Sequence, residues 1–156
     1  MQEAPGQTNA LGLVRYAHDY FDASRLVDNH YCKKDGYELV SPMPALFLMG
    51  QAIELAFKAY LLHKGVSLED LRSRRYGHNL QSCRRESRER GLDELLESNE
   101  WEDGAVDSLN ELYWKKRLNY IETGPVGIPA YGHLESFCKK LIHAVSGEVV
   151  YTQFNR

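Results

Sequence analysis

The stretch Arg72-Ser-Arg-Arg-Tyr-Gly-His78-Asn-Leu80 places one histidine behind three arginines, Arg72, Arg74 and Arg75. His78 follows a glycine at what reads as the start of a helix, so its ring can project from a loop. A neutral imidazole near pH 7 can take a proton from a ribose 2′-hydroxyl or return one to a leaving oxygen. Arginines beside it can hold a phosphate and offset the charge that develops on it. These are the parts of a metal-independent phosphodiester-cleaving site. The structural alternative is that His78 caps the helix or bonds a carbonyl, with the arginines simply solvated.

A second constellation is polar residues on otherwise apolar helices. Gln51, Glu54 and Lys58 stand at i, i+3 and i+7, which puts them on one stripe. Tyr113, Arg117 and Tyr120, at i, i+4 and i+7, make a similar stripe further along. Facing each other, the two stripes form a cleft with cations, a carboxylate and two phenols, a ligand site of unspecified class. The alternative is a Glu54–Lys58 or Glu54–Arg117 ion pair that holds helices in register.

Other chemistries find no residues. No two of the six histidines, at 18, 30, 63, 78, 133 and 143, are three or four apart, and no Glu-x-x-His occurs, so no metal site is expected. Neither GxxxxGK[ST] nor GxGxxG is present, and no cofactor is implied. Cys32, Cys83 and Cys138 are odd in number and widely spaced, which suits free thiols in a reducing cytoplasm. The start, Met1 to Gly6, lacks the apolar run of a secretory leader.

At 156 residues the chain is the size of one domain, taken here as residues 1–156 with 1–8 and 148–156 as flexible tails. Folding at this length buries roughly two-thirds of the unfolded surface. A net charge of −3 argues against binding nucleic acid by bulk charge, though not against a local basic patch. Charge is segregated: residues 72–90 hold seven arginines against two glutamates, and residues 92–111 hold eight acids and no base. Two solvated faces are one explanation. The other is a dipolar surface whose arginines meet phosphate or the acids of a second subunit. The apolar run from Pro44 to Leu62 has the length of a membrane span. It carries Gln51, Glu54 and Lys58, which favours a helix buried in a soluble bundle.

The elements that must position these residues are helical. A first helix runs from Leu13 through Ala17, Tyr20, Phe21 and Val27 to Tyr31, and Asp35-Gly36 breaks it. A second starts at Pro42 and Pro44 and ends before Gly65. Ser67-x-x-Asp70 caps a short turn, and a surface helix from Asn79 to Arg90 stops at Gly91. Leu92, Leu95 and Leu96 suggest another short turn. A long helix from about Asp103 to Glu122 buries Val106, Leu109, Tyr113 and Tyr120. The last helix, Leu134, Phe137, Cys138, Leu141, Ile142 and Val145, ends at Gly147. The expected fold is an all-α bundle of four to five helices.

Three segments together resemble one family. Gln51-Ala-Ile-Glu54-Leu-Ala-Phe-Lys58-Ala-Tyr-Leu-Leu-His-Lys-Gly65, then Tyr76-Gly-His78-Asn-Leu80, then Tyr113-x3-Arg117-x2-Tyr120-Ile-Glu are similar to the HEPN superfamily over roughly residues 42 to 145. The resemblance implies an up-and-down bundle that commonly forms a homodimer. Many members are metal-independent RNases of toxin–antitoxin, defence or RNA-processing systems, which brings an antitoxin-like partner protein into view. Others bind nucleotides or serve only as interaction modules. The RNases carry R-x(4–6)-H near the later helices. Here Arg117 has no histidine at that distance, and the formal matches are Arg25-x4-His30 and Arg72-x5-His78. The expectation is therefore an RNA- or nucleotide-associated protein with His78, Arg72 and Arg117 as catalytic candidates. Gln51, Glu54, Lys58, Tyr113, Tyr120, Arg74 and Arg75 are the binding candidates, and a non-catalytic helical interaction module is the alternative.

Overall fold

The computed structural model describes residues 8–37, 40–114 and 128–154, with side chains as far as Tyr151. Arg117 and Tyr120 therefore lie outside the described residues. Among the described residues, six α-helices and one 3-10 turn make an all-α domain with no strand.

Helix α2 (Met43–His63) is the centre. Its Leu, Ala, Met and Phe residues favour helix and are apolar almost all round, which suits an element enclosed by protein. It touches α1 (Ala10–Tyr31), α3 (Leu68–Leu71), α4 (Leu80–Glu89), α5 (Glu100–Trp114) and α6 (Tyr131–Phe154). By length and composition α2 can cross a membrane, and 67% of that apolar window is buried within this fold. Pro42 and Pro44 sit at its entry, where a missing N–H costs no intrahelical bond. Gly65, at φ +98°, ends it: Gly65 N–H bonds the Leu62 carbonyl and Val66 N–H bonds Leu61, the paired pattern of a Schellman stop.

The flanking helices follow their expected periods with informative shifts. Helix α1 buries Val14, Ala17, Phe21 and Ser24, while Tyr20 is exposed at the helix surface. Ser24 belongs to the core because its hydroxyl donates to the Ala45 carbonyl at 2.7 Å and lies 2.8 Å from the Tyr131 hydroxyl, joining α1, α2 and α6. Helix α5 begins at Glu100, before the expected Asp103, because Asn99 and Glu102 cap it reciprocally. Helix α6 buries all six residues of its expected stripe. It does not stop at Gly147. A single interior glycine costs only about 1 kcal/mol, and Val149, buried in the core, carries the helix on to Phe154. Residues 148–154 are thus helical where a tail was expected.

Two of the segregated arginines, Arg84 and Arg88, meet acids of the same chain, an arrangement that neither sequence explanation included. Arg84 on α4 pairs with Asp107 on α5 and lies 3.9 Å from Asp103. Arg88 pairs with Asp103 at 3.0 Å and with Asp93 at 3.3 Å, and Arg90 pairs with Glu86 at 3.0 Å. Helix α4 has a thin apolar stripe, so it docks through Leu80 and Cys83 while ion pairs line its other edge.

Candidate functional site

Glu54 is the hub. It sits on α2 with its side chain only 7% exposed, where an unpaired carboxylate would be costly. Lys58, one turn on, donates to Oε2 at 2.7 Å. Oε1 accepts from the Tyr113 hydroxyl of α5 at 2.9 Å and from the backbone N–H of His78 at 3.0 Å. Burial acts to raise the pKa of Glu54, but His78 and Lys58 outweigh it and hold the carboxyl below the usual carboxylate range. The group is an anion at neutral pH.

His78 has φ +55°, the one non-glycine residue with positive φ among the described residues. The left-handed region costs an L-residue on the order of 1–2 kcal/mol, so the surroundings must enforce it. They do so from both sides. Tyr76 is buried just before it, and the N–H groups of Tyr76 and Gly77 both bond the Ser73 carbonyl. Just after it, Asn79 caps α4 through Ser82 N–H, and Leu80 N–H donates to Asn110 of α5 at 2.7 Å. The His78 ring rests edge-on against Tyr113, 5.0 Å between centroids. Nδ1 is sealed from solvent with no aligned hydrogen bond, and Glu54 Oε1 lies 3.3 Å away. The side chain is nevertheless 40% exposed, so the imidazole has one buried face and one open one.

The open face lines a cleft of about 700 Å³, together with Arg72, Ser73, Arg74, Gly77 and Trp114. Arg72 and Arg74 are exposed, and neither makes an ion pair among the described residues. Of the described residues lining it, none is a carboxylate. Arginines, a histidine and an indole around a cleft of this size suit an anion that also has a flat ring.

The sequence candidates separate cleanly on this geometry. His78, Arg72 and Arg74 share the cleft. Arg75 does not: it pairs with Glu86 at 3.4 Å and lies over the Tyr76 ring. Tyr113 is 2% exposed and committed to Glu54, so it works from within the core and offers a ligand nothing. Burial, with the Glu54 carboxylate beside it, drives its phenol pKa far up. Glu54 and Lys58 likewise position His78 from behind. Gln51 is half-buried on α2 and makes no hydrogen bond to this group. The other formal match, on α1, has other partners: Arg25 pairs with Glu135 at 3.2 Å, and His30 packs on Tyr31.

Two positions went unnoticed in the sequence. Trp114 lies off the buried period of α5, next to Tyr113, and an exposed tryptophan out of phase was its only signal. Gly50 lies one turn before Glu54. A Cβ there would stand 2.8 and 2.9 Å from Tyr113 ring carbons, so the glycine lets that ring lie on α2 and reach Glu54. A second cavity of about 470 Å³ lies between α5 and α6, where Trp101 stacks on His133 at 6.1 Å; Glu100 is the one carboxylate among the described residues lining it. No family model, curated protein or solved structure matches this chain.

Proposed function

We propose that the chain is a HEPN-like up-and-down bundle that binds RNA in the Arg72–His78 cleft and cleaves it without a metal. The observation that carries this reading is His78 itself: a strained backbone held by the Glu54 carboxylate, with the ring open to a cleft that also holds Arg72 and Arg74. Strain of this kind is retained where the surroundings over-determine it, which favours a working residue. With Nδ1 facing an anion, a proton is favoured on that nitrogen, and Nε2 is left as the base. Nε2 takes the proton of a ribose 2′-hydroxyl as that oxygen attacks phosphorus. The P–O5′ bond breaks, and the imidazolium returns the proton to the leaving oxygen. The products are a 2′,3′-cyclic phosphate and a 5′-hydroxyl end. Arg72 and Arg74 offset the charge on the phosphoryl oxygens.

One observation favours a second reading, a non-catalytic helical module. The same Glu54 carboxylate ties α2, the His78 loop and α5 together, a register device with or without chemistry. Cleavage in EDTA by wild type, His78→Gly and His78→Ala separates the two. Glycine removes the ring and relieves the left-handed strain, so H78G should be about 1 kcal/mol more stable than H78A. On the catalytic reading both variants lose cleavage, and the better-folded H78G gains nothing back. Wild type without cleavage on any RNA offered, or H78G cleaving like wild type, leaves the interaction module.

A further inference from the structure

We infer that Trp114 is a base-stacking platform, and that the cleft takes one unstacked nucleotide of single-stranded RNA. The inference rests on the RNA-binding part of the reading above, and it adds the substrate class. Trp114 ends the described part of α5 and is 43% exposed. Its neighbour Tyr113 is turned into the core, which leaves the indole on the cleft side with Arg72, Arg74 and His78. An exposed indole is unfavourable in water unless something covers it.

Two kinds of group line the cleft, and together they choose the ligand. Inorganic phosphate or an acidic peptide would use the arginines and leave the indole uncovered. An apolar ring would cover the indole and leave two cations without an anion. A nucleotide uses both, with its base on the indole and its phosphate at Arg72 and Arg74. The volume of about 700 Å³ has room for a nucleotide of this kind. A base can reach the indole only after leaving a helix stack, so paired RNA is a poor ligand and a loop or free strand a good one. Trp114 acts on binding, and its tolerance of any π-face makes the base identity secondary.

Trp101 and Trp114 are the two tryptophans, so Trp101→Phe leaves Trp114 as the single fluorophore. Trp101 lines the other cavity, away from His78. Titrating W101F with oligouridylate should quench Trp114. A blunt duplex of equal length, an abasic strand of equal charge, and inorganic phosphate should leave its fluorescence nearly unchanged. In the wild-type background Trp114→Leu should weaken single-strand binding by roughly 5- to 150-fold, and Trp114→Phe should recover much of it. Equal affinity for the abasic strand, or for the duplex, overturns the inference even if cleavage is found. Quenching by the single strand without any cleavage upholds the inference while the catalytic reading falls.

Discussion

Gly50→Ala isolates the device that aims His78. Two effects oppose each other. On the exposed surface of a helix, alanine in place of glycine is stabilising by about 1 kcal/mol. At position 50 the new Cβ would lie 2.8 and 2.9 Å from Tyr113 Cδ2 and Cε2 and 3.2 Å from Cγ. Carbon pairs are comfortable at about 3.5–4.0 Å, so the ring must retreat by roughly 0.7 Å or more. Tyr113 has little room to do so, being 2% exposed, with Phe47 at 6.2 Å and His78 at 5.0 Å between centroids. A retreat of that size takes its hydroxyl out of the 2.9 Å bond to Glu54. Overpacking costs about 1–3 kcal/mol, and losing a buried hydrogen bond to a charged group costs about 1.5–3 kcal/mol. These are alternative outcomes of one clash, so the larger of them sets the scale. After the helix gain, G50A should be less stable by about 1–2 kcal/mol, a fall in Tm of very roughly 2–8 °C for a domain of this size. Urea melts of G50A, Tyr113→Phe and the double variant form the assay. The double variant should cost less than the sum, because the second change removes the hydroxyl bond the first has already broken. A G50A protein with a raised Tm, or full additivity in the cycle, would refute the close packing of Tyr113 on α2.

The remaining expectations concern charge and thiols. Glu54→Gln keeps the shape of the side chain but turns an NH₂ or a neutral oxygen toward Lys58, and breaking a buried pair costs about 3–5 kcal/mol at neutral pH. Because the folded pKa of Glu54 is lowered, its stabilisation is complete above the unfolded value of 4.5 and fades as the pH falls through the folded value. Urea melts at successively lower pH should therefore show wild type and E54Q converging below pH 4.5, and a constant gap would remove Glu54 from the role of anchor. Cys32 is exposed, whereas Cys83 and Cys138 are buried, the Cys83 thiol being pushed up to about 12 by burial with Glu54 nearby. Ellman titration of the native protein should find one reactive thiol, and all three once it is unfolded; three fast thiols in the native state would contradict the packing of α4 and α6.

Local chemistry was sufficient wherever an element carried its own signal. The periods of α2 and α6, the Ser67 cap, the stops at Gly65 and Gly91 and the all-α class follow from apolar spacing and backbone freedom, which act within one or two turns. The Glu54, Lys58 and Tyr113 stripes were legible too, since a polar residue on a buried helix stands out against its neighbours. Gly147 misled, because a glycine marks a helix end only when no burial beyond it repays continuation, and Val149 supplies that burial. The sequence alone thus determined the helices, the buried polar stripe and the basic segment ahead of His78. Only the tertiary structure decided what each charge was for. Arg84 and Arg88 are taken up by acids of α5, Arg75 by Glu86, and Arg72 and Arg74 are left to the cleft. The physical reason is that an ion pair depends on distance in space, and these partners, 11 to 23 residues apart in the chain, become neighbours only when the Arg75 loop, α4 and α5 pack.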